Sequence, residues 1–168
     1  GGFGRTVSRP EFRELADVPF YDVTINTAFS GNPDLERATI DNYDLRWEWY
    51  LSPVELLSFG GFYKTFDRPI ELVAEGGAGD AFTWQNATSA TNWGLELEGR
   101  RGLGLIADAL SNFFVAFNVA YIKSDVDLRG TSGLQTSRQR PLQGQAPYVI
   151  NGQLGFDDSA AGGGTAAT

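Results

Sequence analysis

Glu96 and Glu98 stand two residues apart in Trp93-Gly94-Leu95-Glu96-Leu97-Glu98-Gly99-Arg100, and paired carboxylates are what general acid–base chemistry requires. Side chains two apart on a strand share a face, so both acids project the same way. Asp125 and Asp127 repeat the spacing that opens a calcium loop, but the rest of an EF-hand pattern does not follow. Glu75-Gly76-Gly77-Ala78-Gly79-Asp80 is acidic and glycine-rich; it could hold a cation or form a loop tip. Asn86-Ala87-Thr88 fits a glycosylation sequon, which matters only in a eukaryotic secretory context. The chain has no His and no Cys. The common zinc sites, Ser-His-Asp triads, Cys-His pairs and histidine-ligated haem capture therefore cannot be built from it alone. No acid, base and nucleophile constellation stands out, so the reading is not an enzyme, with no cofactor and no metal.

The elements that carry these residues are more informative. Tyr43, Leu45, Trp47 and Trp49 alternate with Asp44, Arg46 and Glu48 in one unbroken run. Strand side chains point alternately to opposite faces, so one face is apolar and the other fully charged. Trp93, Leu95 and Leu97 against Glu96, Glu98 and Arg100 repeat the contrast. Two environments meet such a sheet: core and water in a soluble sandwich, or lipid and a wet lumen in an outer-membrane barrel.

At 168 residues the chain is one ordinary domain, and a 42% hydrophobic fraction suits either environment. No apolar run of about 18 residues exists, which excludes a transmembrane helix. A net charge of −8 repels nucleic acid. The start, Gly1-Gly2-Phe3, has no initiator Met or secretion signal, and Ala160 to Thr165 resembles a linker; the chain reads as part of something larger. Six strands are expected, over Gly2 to Ser8, Asn42 to Leu51, Leu56 to Phe66, Trp93 to Arg101, Asn112 to Ser124 and Tyr148 to Phe156. Several reach the length of about 9–11 residues that crosses a bilayer when tilted. Connections alternate: long from Arg9 to Asp41, tight at Ser52-Pro53, long from Asp67 to Asn92, short from Gly102 to Leu110 with a helical turn from Leu105, long from Asp125 to Pro147. Long loops on one side and short turns on the other are the habit of outer-membrane barrels.

Tyr43, Tyr63, Trp93, Tyr121 and Tyr148 stand at the long-loop ends of their strands, each on the more apolar face, as an interfacial girdle would. Trp49, Phe59, Phe113 and Phe156 mark the opposite level. Between them lie Leu45, Leu95, Leu97, Val115, Phe117, Val119, Ile150 and Leu154. The other faces carry Arg46, Glu48, Lys64, Glu98, Asn118, Asn151 and Gln153. The third strand fits least well, because Phe62 and Phe66 fall beside Lys64 on the polar face.

Short stretches then carry a family resemblance. Ser8-Arg9-Pro10 with Phe12-Arg13-Glu14-Leu15, Gly31-Asn32-Pro33-Asp34-Leu35, Asn42-Tyr43-Asp44-Leu45, Phe62-Tyr63-Lys64 with Pro69-Ile70-Glu71, Gly94-Leu95-Glu96-Leu97-Glu98, and Leu142-Gln143-Gly144-Gln145-Ala146-Pro147 stand in one order along nearly the whole chain. Together they resemble the barrel of TonB-dependent outer-membrane receptors. The resemblance implies an all-β, antiparallel, up-and-down transmembrane barrel segment: about six strands, residues 1–168, of a barrel of about 22. It implies that the N-terminal plug and terminal strand lie elsewhere. It further implies a bacterial (Gram-negative) outer membrane, surrounding lipid, a TonB energy-coupling complex reached through the plug, and import of a scarce nutrient such as an iron-siderophore, a vitamin or a glycan. Gly31-Asn32-Pro33 is expected to shape a turn, Gly and Asn tolerating positive φ. Arg46, Glu48, Lys64, Glu96, Glu98 and Arg100 are expected to form cross-strand ion pairs or meet the plug, with a direct role in substrate passage as the alternative. Ligand contact falls to the long loops, where Phe20, Tyr21, Phe82 and Trp84 either stack on a sugar or siderophore or pack their own loop. The alternatives are a soluble all-β carbohydrate- or protein-binding module and a passive porin.

Overall fold

The computed structural model describes residues 1–24, 26–75, 81–129, 131, 139–142 and 144–157. In chain order its elements are β1 (Gly2–Ser8), the one-turn helix α1 (Phe12–Leu15), β2 (Phe20–Asp22), β3 (Thr27–Ser30), β4 (Ala38–Ser52), β5 (Glu55–Asp67), β6 (Ile70–Ala74), β7 (Ala81–Asn86), β8 (Ser89–Gly102), β9 (Phe113–Asp127), β10 (Gln139–Arg140) and β11 (Tyr148–Phe156). Two 3-10 turns, Leu103–Leu105 and Asp108–Leu110, stand between β8 and β9. Most of the acidic stretch from Glu75 to Asp80, and the stretch from Ala160 to Thr165, lie outside the described residues.

The six expected strands form one sheet in the order β1-β4-β5-β8-β9, with β11 beside β9. Neighbours in sequence are neighbours in the sheet, the up-and-down pattern. Pairing is antiparallel, with Phe3 opposite Tyr43 and Tyr121 opposite Tyr148. β4, β5, β8 and β9 run 15, 13, 14 and 15 residues. β4 and β8 begin four residues ahead of Asn42 and Trp93. Those added turns of pleat, Ala38 to Asp41 and Ser89 to Asn92, lack the aromatic alternation that marks the remainder, so the pattern alone does not reveal them.

The long connections hold more structure than expected. β2-β3-β7-β6 form a second, four-stranded sheet. Within it β3 and β7 are parallel, with Phe29 opposite Phe82. Strands of three to six residues give too few alternations for a period to register. α1 is likewise a single turn, and the helical turn expected from Leu105 resolves into the two 3-10 turns.

The chain divides into two compact units. One comprises Gly1–Asp44, Phe62–Trp93 and Lys123–Gln145; the other comprises Leu45–Gly61, Gly94–Ile122 and the chain from Ala146. Their interiors differ sharply. Among the described residues the buried hydrophobics are Leu35, Ala38, Val73, Trp84, Ala87, Ala90, Val126 and Leu128 in the first unit, and Ala120 alone in the second. The first unit has a core, in which Phe66 and Leu142 pack on Ala87, Ala90, Val126 and Leu128. Among the described residues the second is a single sheet with both faces open.

Candidate functional site

The coreless unit carries the contrast read from the sequence. On its apolar face Leu45, Leu97 and Val119 are 69%, 39% and 37% exposed, so among the described residues no second layer covers them. Trp47 and Trp49 share that face with ring centroids 6.2 Å apart, and Phe113 meets Phe156 edge-on at 5.1 Å. A soluble monomer rarely leaves so continuous an apolar surface in water.

The polar face is knitted by charge. Arg46 Nε donates to Glu48 at 2.6 Å, and its terminal nitrogen reaches Glu98 at 2.8 Å. That second bond crosses from β4 to β8 over the intervening β5, where the small side chain of Ser58 sits and places its Oγ 3.5 Å from Glu98. The Tyr50 hydroxyl donates to Glu48 at 2.7 Å. Glu98 is thus committed to Arg46, whereas among the described residues Glu96, Lys64 and Arg100 form no ion pair, which corrects that expectation for these three. Near the short turns, Glu55 accepts from the Gly102 backbone at 2.9 Å and faces Arg101 at 3.7 Å.

One feature of this face escaped sequence reasoning. The Arg100 guanidinium lies 3.7 Å from the Phe114 ring centroid. Phe114 in turn lies across Gly155, where any Cβ would strike the ring. A recess of about 350 Å³ opens beside this stack, lined by Leu56, Glu98, Gly99, Arg100, Ala116, Phe117, Asn118, Asn151, Gly152 and Gln153. Only the tertiary pairing of β8, β9 and β11 brings these residues together.

In the other unit, the family-like stretches cluster into a scaffold. α1 carries a capping box in which the Glu14 carboxylate accepts from the Glu11 N–H at 2.9 Å. Gly31 lies against the Ala16 backbone, where a Cβ would collide with the carbonyl. The Asn32 N–H donates to the Glu14 carbonyl at 2.6 Å, and its side chain donates to the Trp84 carbonyl at 3.0 Å. Neither Gly31 nor Asn32 adopts positive φ. The expected turn is present at Pro33-Asp34, where Asn32 Oδ1 accepts from the Asp34 N–H at 3.0 Å, but it does not use positive φ at Gly31 or Asn32: Gly31 is needed for close approach, and Asn32 for these three hydrogen bonds.

The loop aromatics fall into two groups. Phe20, Phe29 and Trp84 stack, with centroids 5.3 Å, 5.8 Å and 6.3 Å apart, and Arg13 lies over Phe20 and Trp84 at 5.9 Å and 5.8 Å. Trp84 is only 8% exposed. Phe82 is half-buried, 6.1 Å from Phe29. Tyr21 is exposed, and its hydroxyl is 2.5 Å from Asn26 Oδ1. A recess of about 390 Å³ beside this cluster is lined by Arg13, Glu14, Phe29, Glu71, Leu72 and Trp84, among others. Glu71, nearly buried, accepts from Arg140 at 2.8 Å; Arg140 also donates to the Leu72 carbonyl at 3.2 Å. Desolvation pushes the Glu71 carboxyl above the ordinary carboxylate range, and the Arg140 charge pulls it partly back.

Of the girdle residues only Tyr148 stands at a strand end; Tyr43, Tyr63, Trp93 and Tyr121 lie four to six residues inside β4, β5, β8 and β9, because these strands run on past the aromatic level, which corrects the expected placement. Tyr43 contacts Phe3 at 5.0 Å and Tyr63 at 6.4 Å, while Tyr121 and Tyr148 are register partners. Trp93 is 36% exposed. Phe62, the misfit of the polar face, has the Lys64 ammonium 5.4 Å from its ring. The Asp127 carboxylate is held by Arg129 at 2.5 Å. The sequon side chain of Asn86 donates to the Glu36 and Arg68 carbonyls at 2.9 Å and 2.8 Å, so that amide is already in structural use.

A sheet with an open, aromatic-banded apolar face and an ion-paired polar face defines a membrane-spanning β-barrel wall. The chain matches the family model for the TonB dependent receptor-like β-barrel over residues 1–165 and belongs to that family. This is an outer-membrane receptor and transporter family. No curated protein matches the chain.

Proposed function

We propose that the chain is the barrel portion of a receptor that takes up a scarce nutrient across a bacterial outer membrane by active, ligand-gated import. The observation that carries this reading is the coreless unit, whose apolar face needs hydrocarbon and whose opposite face needs water. On this reading residues 1–168 are part of one barrel domain, with lipid as its solvent. The remaining strands, a plug, and contact with the TonB complex through that plug belong to the rest of the receptor. Among the described residues β1 and β11 each have one hydrogen-bonded strand neighbour, and unpaired backbone is expensive in hydrocarbon, which supports continuation of the wall by further strands. Tyr43, Tyr63, Trp93, Tyr121 and Tyr148 are assigned to the water–lipid boundary. Ligand contact is assigned to the loop assembly: exposed Tyr21 and half-buried Phe20 and Phe82 meet the nutrient, while Trp84 supports them from beneath. A soluble binding module is disfavoured because Leu45, Leu97 and Val119 lack a covering layer among the described residues.

The test is uptake by cells whose only copy of the full-length receptor is under controlled expression. Labelled iron chelates, cobalamin and oligosaccharides are supplied with and without an energised inner membrane. Receptor-dependent accumulation of one nutrient that stops when the proton gradient is collapsed is the expected result. Entry that ignores the gradient replaces the receptor with a passive porin.

A further inference from the structure

The recess beside Arg100 is built for a particular chemistry. Arg100 lies over the Phe114 ring, 3.7 Å from its centroid, and Phe114 is seated on Gly155, so the guanidinium is positioned before anything binds. Among the described residues no carboxylate lies within ion-pair distance of it; Arg9, Arg13 and Arg37 share that state, whereas on the polar face of the wall Arg46 and Arg101 each have a carboxylate. The single acid lining the recess, Glu98, is bound by Arg46 at 2.8 Å. Glu96, on the same face, does not line it. What remains is a fixed cation with N–H donors, flanked by the carboxamides of Asn118, Asn151 and Gln153, which both donate and accept. A guanidinium matches a carboxylate in two parallel hydrogen bonds, and the volume of about 350 Å³ lies in the range of small-ligand sites.

We propose that this recess is a subsite for a carboxylate-bearing small solute. Arg100 takes the carboxylate, and Asn118, Asn151 and Gln153 hold the solute's other polar groups. As a station for cargo it rests on the import reading; as a binding site it stands on its own geometry. The loop recess beside Arg13 is a weaker anion site, because Glu14 and Glu71 line it.

Equilibrium dialysis of the full-length receptor in detergent against labelled tricarballylate tests the assignment, with the neutral triamide as control. The expected result is saturable binding of the tricarboxylate and none of the triamide. Arg100→Gln should weaken binding by about tenfold or more, and Arg100→Lys by less, because the charge survives while the paired hydrogen bonds do not. Asn151→Asp leaves the Arg100–Phe114 stack in place but adds a like charge, and should weaken binding comparably; it decides the matter if Arg100→Gln fails to fold. Absence of saturable binding in the wild type overturns the proposal, and so does binding that survives Asn151→Asp unchanged. A side-chain carboxylate of another segment resident in the recess would produce that first outcome. Energised nutrient uptake without tricarballylate binding sinks the recess and spares the import reading; binding without energised uptake does the reverse.

Discussion

Gly31 and Glu71 show how single residues hold the loop assembly. At Gly31 the neighbouring Ala16 backbone leaves no room for a Cβ. Gly31→Ala must push the α1 end away and stretch the hydrogen bond from Asn32 to Glu14. Overpacking of this kind costs about 1–3 kcal/mol. Limited proteolysis should show faster cleavage around Ala16, and an unchanged rate would mean that the contact carries no strain. Glu71 sets a pH dependence. Its carboxyl lies above its ordinary value of 4.5, chiefly through desolvation. The folded state therefore holds the proton more tightly than the unfolded one. The stabilisation this group contributes is complete below its ordinary value and is lost as pH rises through the raised one. Glu71→Gln keeps the shape and removes the titration. Hydrogen exchange of β6 should become more protected on acidification toward pH 4.5 in the wild type than in the variant. Equal pH dependence in both would remove Glu71 as the cause.

At the level of the strand, parity is the testable quantity. Leu97 and Glu98 are adjacent on β8 and face opposite ways. Leu97→Arg puts a charge on the apolar face and should destabilise the membrane-inserted fold by about 2–4 kcal/mol near mid-bilayer. Glu98→Ala removes a half-exposed pair with Arg46 and should cost about 1 kcal/mol or less. Unfolding by urea in lipid vesicles separates the two, and equal small effects would contradict the assigned faces. The alternation that makes this prediction is readable in the sequence, because β4, β9 and β11 repeat their signal four or five times and β8 three times. The four-stranded loop sheet was not, since β2 and β3 offer three and four residues and pair with partners far along the chain. Of the candidate site, Phe20, Tyr21, Phe82 and Trp84 were legible as aromatics in loops. That Trp84 is buried under Arg13 was not. The Arg100–Phe114–Gly155 stack was invisible for the same reason: register, not local sequence, assembles it.

For the molecule as a whole, the question is which solvent each tryptophan meets. A chain with net charge −8 and only 42% hydrophobic residues resembles a soluble acidic protein in bulk. Its apolar residues are segregated instead, some into the core beneath the loops and some onto an open face. Trp84 belongs to the first set at 8% exposure; Trp47 and Trp49, at 57% and 52%, belong to the second. Single-tryptophan variants in vesicles of brominated lipid read this directly, because bromine quenches indoles in contact with acyl chains. Trp47 and Trp49 should be strongly quenched by the lipid and little affected by aqueous acrylamide. Trp84 should resist both. The contrast discriminates because a soluble sandwich would shield all three from bromine, while a protein partner on the open face would shield Trp47 and Trp49 from both quenchers. Quenching of Trp47 by acrylamide but not by bromine would place water on that face, and the membrane assignment of the wall would fall with it.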